Sequence, residues 1–94
     1  MPTKQSIFIE KMTQLRGMDW VRIGMMVEMS GHIGTIKGMN SSANLDVLFA
    51  NQQRMGSRPL NCHPKWNIRY FDENGNIICF YDETGDLKED NRHS

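Results

Sequence analysis

Four cations, Arg54, Arg58, Lys65 and Arg69, lie in a stretch from Asn51 to Phe71 that holds no acid, and they interleave with Trp66 and Tyr70. Cations beside stacking rings neutralise phosphates and give bases a π-face, which is what a single-stranded nucleic acid needs. The same set suits an acidic protein surface. The plain alternative is a solvated loop whose arginines keep the chain soluble, with Trp66 packed in a minor core. Trp66, Tyr70 and Tyr81 also fall on one face of an expected hairpin, where three rings can line a groove for an extended peptide. Burial under an N-terminal helix or in a homodimer would satisfy those rings equally.

Cys62, His63, Cys79, His32 and His93 are the soft metal ligands of the chain. No Cys-x-x-Cys or His-x₃-His spacing occurs among them, and neighbours such as Cys62 and His63 point to opposite sides of an extended strand. No metal site is expected. The same divergence argues against a thiolate–imidazole pair, whose side chains must face each other. Asp72 with Glu73 and Asp82 with Glu83 are exposed carboxylates with nothing near them to raise a pKa for acid–base work. No catalytic residue and no cofactor are expected, so the sequence reads as non-enzymatic.

Ninety-four residues make one domain, 1–94, because a chain this short buries only about 60–65% of its unfolded surface. Formal charge balances at eleven basic and eleven acidic residues. The acids crowd the C-terminal end from Asp72 onward, so the chain reads as a dipole and not as a general polyanion binder. The N-terminus lacks the apolar run of a signal peptide, and no segment approaches the roughly 20 apolar residues of a membrane span. A cytoplasmic protein with no membrane contact is expected. Two cysteines are too few for a disulfide framework, so both are expected as free thiols.

The positioning elements follow from periodicity. Phe8, Met12 and Leu15 recur at helical spacing, with Ser6 able to cap and Gly17 able to close, which predicts a helix over 6–16. Alternation then predicts strands around Met25–Met29, His32–Met39 and Leu45–Phe49, with Gly31 and Gly34 as structural turn residues of the first hairpin. Asn51 to Pro59 reads as a long polar loop. Asn74-Gly75 predicts a type I′ turn, because both central residues of that turn need positive φ. That turn pairs Phe71 with Ile78, Tyr70 with Cys79, Arg69 with Phe80 and Ile68 with Tyr81. Phe71, Ile78 and Phe80 are then expected inside and the ring-bearing face partly wet, since Trp and Tyr carry a polar tip. Residues 84–94 read as a flexible acidic tail, and no internal repeat is visible.

Gly24-Met-Met-Val27 followed by Gly31-His-Ile-Gly34-Thr-Ile36, with Leu45 to Phe49 behind it, resembles the KOW motif and related SH3-like barrels. The resemblance covers about a quarter of the chain. It implies a mainly β fold, an SH3-like five-stranded barrel over 21–83, and binding of RNA or protein. A pI near 6.8 departs from the basic members of that group. The opening Gly24, Val27, Ser30-Gly31, Gly34, Ile36 and Gly38 also loosely resembles the small-barrel, trimethoprim-insensitive dihydrofolate reductases. Here the nearest counterpart of their active-site strand, Trp66-Asn67-Ile68-Arg69-Tyr70, lacks the ligand-contacting glutamine. The expectation is a non-catalytic module for protein recognition, with Arg54, Arg58, Lys65, Trp66, Arg69, Tyr70 and Tyr81 as the partner-binding set. Single-stranded RNA is the alternative partner and a reductase the remote one.

Overall fold

The computed structural model describes residues 2–92. His93 and the end of the expected tail lie outside the described residues. Helix α1 spans Lys4–Arg16. It starts two residues earlier than predicted because Thr3, not Ser6, supplies the cap: its hydroxyl accepts from the Ser6 N–H at 3.0 Å. Gly17 closes the helix at φ 67° and lets its own N–H reach the Thr13 carbonyl. Phe8 and Met12 are buried, whereas Leu15 is exposed.

Seven strands follow: β1 (Met26–Met29), β2 (His32–Met39), β3 (Leu45–Phe49), β4 (Leu60–Cys62), β5 (Ile68–Phe71), β6 (Ile77–Tyr81) and β7 (Leu87–Asp90). A one-turn helix α2 (Gln52–Met55) sits in the long loop, with the Asn51 side chain accepting from the Arg54 N–H. The strands form one antiparallel sheet in the order β4-β3-β2-β1-β5-β6-β7. The fold is mainly β with a short N-terminal helix, as expected, but the five-stranded closed barrel is corrected to an open sheet. Two added strands end it. β4 has three residues, and β7 is exposed along its length and carries Lys88, Glu89 and Asp90, so neither offers an apolar ribbon for the other to close upon. The flexible tail is corrected as well. Leu87–Asp90 pairs with β6, the Arg92 guanidinium grips Asp90 at 2.9 Å, and it lies 5.1 Å from the Trp20 ring centroid.

Turn chemistry explains the register. The type I′ turn is Ser30-Gly31, both with positive φ (52° and 82°), between Met29 and His32. Asn74 has no positive φ, so the Asn74-Gly75 expectation is corrected. Three hairpins instead share another design, Asn40–Asn44, Asp72–Asn76 and Asp82–Asp86. In each, the first residue's side-chain oxygen accepts from the N–H groups two and four residues on. The fourth residue, Ala43, Gly75 or Gly85, sits at φ 60°, 83° or 85° and donates back to the first carbonyl. This is a type I turn with a glycine-type bulge, and it pairs Phe71 with Ile77 in place of Ile78. It also exposes a repeat that periodicity alone does not reveal: Phe71-Asp-Glu-Asn-Gly-Asn-Ile77 returns ten residues later as Tyr81-Asp-Glu-Thr-Gly-Asp-Leu87.

Register also decides which face is inside, and it reverses the expectation for Phe71 and Phe80, whereas Ile78 packs against the core as expected. Val27, Met29, Ile36, Leu45, Val47, Ile68, Tyr70, Cys79 and Tyr81 form the core with Phe8 and Met12 of α1. Arg69, Phe71 and Phe80 face outward. Arg16, at the end of α1, ties the helix to the β2–β3 turn through the Ser42 carbonyl and the Asn44 side chain at 3.1 and 2.8 Å. Gly34 is not a turn residue. It stands mid-strand opposite Val27 and Phe49, where an added Cβ would come within 2.5 Å of Val47 Cγ1.

Gly34→Ala is therefore expected to lower stability by about 1–3 kcal/mol, read as a shifted urea midpoint at unchanged slope. A second expectation concerns β7. The Thr84 hydroxyl, then the Thr84 and Asp86 N–H groups, hold the Asp82 carboxyl below its ordinary range, and Arg92 does the same for Asp90. A carboxylate lowered by folding stabilises the fold fully above its unfolded pKa and loses that contribution as pH falls through the folded value. Amide protection over Thr84–Asp90 should hold from neutral pH down to about 5 and fall, relative to β1 and β2, below about 4.

Candidate functional site

The run Cys62-His-Pro-Lys-Trp66 leaves β4 and must turn back into β5. Pro64 cannot continue a ladder, and the Lys65 N–H closes the bend by donating to His63 Nδ1 at 3.0 Å. Asn67 takes φ 48°, with its side-chain amide donating to Ser30 Oγ at 2.9 Å. These contacts throw the Trp66 ring outward at 46% exposure, while its Nε1–H donates to the Glu83 carbonyl at 2.7 Å. The indole is thus both exposed and fixed. It forms one wall of a cavity of about 290 Å³ at the end of the inner sheet face, shared with Met29, His32, Phe49, Met55, Leu60, Cys62 and His63.

The seven predicted partner-binding residues separate into three groups. Trp66 lines the cavity, and Arg54, Arg58 and Lys65 lie within two residues along the chain of its lining residues Met55, Leu60 and Trp66, with Arg54 and Arg58 exposed. Arg69 is on the outer face, 3.0 Å from Glu28 and with its guanidinium 4.1 Å from the Phe80 ring centroid. Tyr70 and Tyr81 are in the core, Tyr70 at 0% exposure. The three-ring groove is corrected accordingly. Trp20, which no sequence pattern singles out, covers Tyr70 edge-on with centroids 4.8 Å apart, and the Tyr70 hydroxyl donates to the Pro64 carbonyl at 2.6 Å. A polar tip satisfied inside has no need of water.

Met55, Leu60 and His32 also belong to this corner, although none of them is among the predicted partner-binding residues. Their only signal is position, and β4 and α2, which place two of them, are not predicted either. The chemistry of the corner is that of contact surfaces. Burial first, and the charge of Asp46 second, push the Cys62 thiol up, which keeps it protonated at neutral pH and a poor nucleophile. Burial, then Arg16 and Lys65, push the His63 imidazole down, and its Nδ1 already accepts a hydrogen bond. Both cysteines are free. Among the described residues no three His, Cys, Asp or Glu side chains converge as a metal ion requires, and no helix is long and apolar enough to cross a membrane.

A larger groove of about 640 Å³ runs beside α1, lined by Ile7, Leu15, Ile23 and Met39 with Lys4 and Lys11. Its one aromatic, Phe8, is buried in the core, so it presents no exposed aromatic anchor, the feature that most often concentrates binding energy. No protein-family model matches the chain, and neither a curated protein nor a solved structure is significantly similar to it.

Removing the Tyr70 hydroxyl should leave the Pro64 carbonyl buried and unpaired. Tyr70→Phe is expected to cost about 1–3 kcal/mol in chemical denaturation.

Proposed function

We propose that the chain is a small cytoplasmic, non-catalytic module that recognises a protein partner through the Trp66 corner. The observation that carries this reading is the indole itself, exposed yet held by a 2.7 Å hydrogen bond at the rim of an apolar cavity. A rigid aromatic anchor loses little conformational freedom on binding, and such rings dominate the energetics of protein interfaces. Arg54, Arg58 and Lys65 flank the cavity's lining residues along the chain and make no ion pair among the described residues. Their charge suits a partner segment that seats an apolar side chain in the cavity and sets carboxylates on the rim. Tyr70 and Tyr81 support the corner from within, and Arg69 takes no part.

Single-stranded RNA is the second reading, favoured by the same unpaired cations beside an exposed ring and by the KOW-like hairpin from Gly24 to Phe49. The two differ in salt dependence, because phosphate neutralisation releases counterions and protein docking on an apolar anchor does not.

Capture from lysate on the immobilised chain, with and without nuclease, separates them. The protein reading expects a partner that survives nuclease and moderate salt and is lost by at least about tenfold on Trp66→Ala. Loss on nuclease treatment, with steep weakening by Arg54→Ala or Arg58→Ala, gives the RNA reading in its place.

A further inference from the structure

The outer face of the sheet has a pattern that solvent does not explain. An antiparallel sheet that faces water on one side carries polar residues there. Register here places Met26 beside Phe71, Glu28 between Ile33 and Arg69, and Arg69 beside Phe80, and residues opposite one another share a face. Met26, on the central strand of the sheet, and Ile33 are each 45% exposed. Four apolar side chains thus surround one ion pair, Arg69 Nη1 to Glu28 Oε1 at 3.0 Å, on the side opposite the core.

We propose that this face is the interface of a symmetric dimer, with a second copy of this chain as its occupant. The pattern is complementary to itself. A two-fold axis lying between β1 and β5 and parallel to them exchanges the two strands across the interface. Met26 of one copy then meets Phe71 of the other, Ile33 meets Phe80, and Glu28 meets Arg69. Among these six residues every apolar side chain finds an apolar one, and each charge its opposite, with Thr35 and Glu89 flanking the patch beside Met26 and Phe80. A facing sheet without that symmetry would leave one member of the ion pair against apolar surface, which is costly for a desolvated charge. The chain also carries no net charge, so two copies approach without long-range repulsion. The result is two sheets packed face to face, as in a sandwich. The interface lies on the opposite side of the sheet from the Trp66 corner, so the proposal stands whether or not that corner binds a protein.

Sedimentation velocity of the full chain over a concentration series tests it. A dimer is expected, and Met26→Lys should raise its dissociation constant by at least about tenfold. Arg69→Glu and Glu28→Arg should each weaken it similarly, because like charges then meet across the axis. Mixed in equal amounts, those two variants should associate more tightly than either alone, since both positions are acidic in one copy and basic in the other, and opposite charges meet again. An ion pair that serves only the monomer produces no such rescue. A monomer at every concentration overturns the proposal, as does a dimer indifferent to Met26→Lys, or charge variants with native circular dichroism that fail to rescue each other. Should a charge variant not fold, the wild-type series and Met26→Lys, which alters an exposed side chain, decide the matter.

Discussion

The Tyr70 hydroxyl donates 2.6 Å to the carbonyl of Pro64, and this bond allows a whole phenol to be sealed between Trp20 and Tyr81. Both neighbouring rings meet Tyr70 edge-on, with interplanar angles of 81°, the arrangement favoured by ring quadrupoles. Burial holds the phenol well above its ordinary pKa, so it remains a donor at any physiological pH. With Tyr70 inside, strand alternation forces Ile68, Cys79 and Tyr81 inside too and turns Arg69, Phe71 and Phe80 out. The same bond pins Pro64, and Pro64 sets the bend that presents Trp66. Core and candidate site therefore depend on one side chain.

Much of the backbone is legible in the residues. Five of the strands, the Gly17 helix stop and the pairing of Ile68 with Tyr81, Arg69 with Phe80 and Tyr70 with Cys79 all follow from alternation and glycine placement. The assignment of faces does not. Expecting aromatic rings with polar tips near water and bare phenyl rings inside applies a rule about isolated side chains. A carbonyl six residues away satisfies the tip, and no local pattern announces such a partner. Trp20 is equally silent, lying outside any periodic run.

Turn chemistry needs a finer reading than the Asn-Gly dipeptide alone provides. Asn-Gly satisfies a type I′ turn, but an aspartate two residues before Asn74 captures two N–H groups and draws the chain into a longer loop. The same aspartate at position 82 turns an expected solvated tail into another strand. Of the candidate site, Trp66, Arg54, Arg58 and Lys65 are visible as residue types. The cavity beside them is not, because β4 and α2 are too short to carry a periodic signal.

Six pairings join the seven strands, and five of them link neighbours in sequence. Only β1 and β5 meet from afar, with Glu28 and Arg69 separated by 41 residues. The chain is thus two meanders sewn along a single seam, and each can form early because its loop closures are short. Docking along that seam carries the main entropic cost of reaching the native topology. Val27 and Tyr70, which pair across it, sit where a folding barrier would be decided, while the outer strands chiefly govern how fast the finished molecule comes apart.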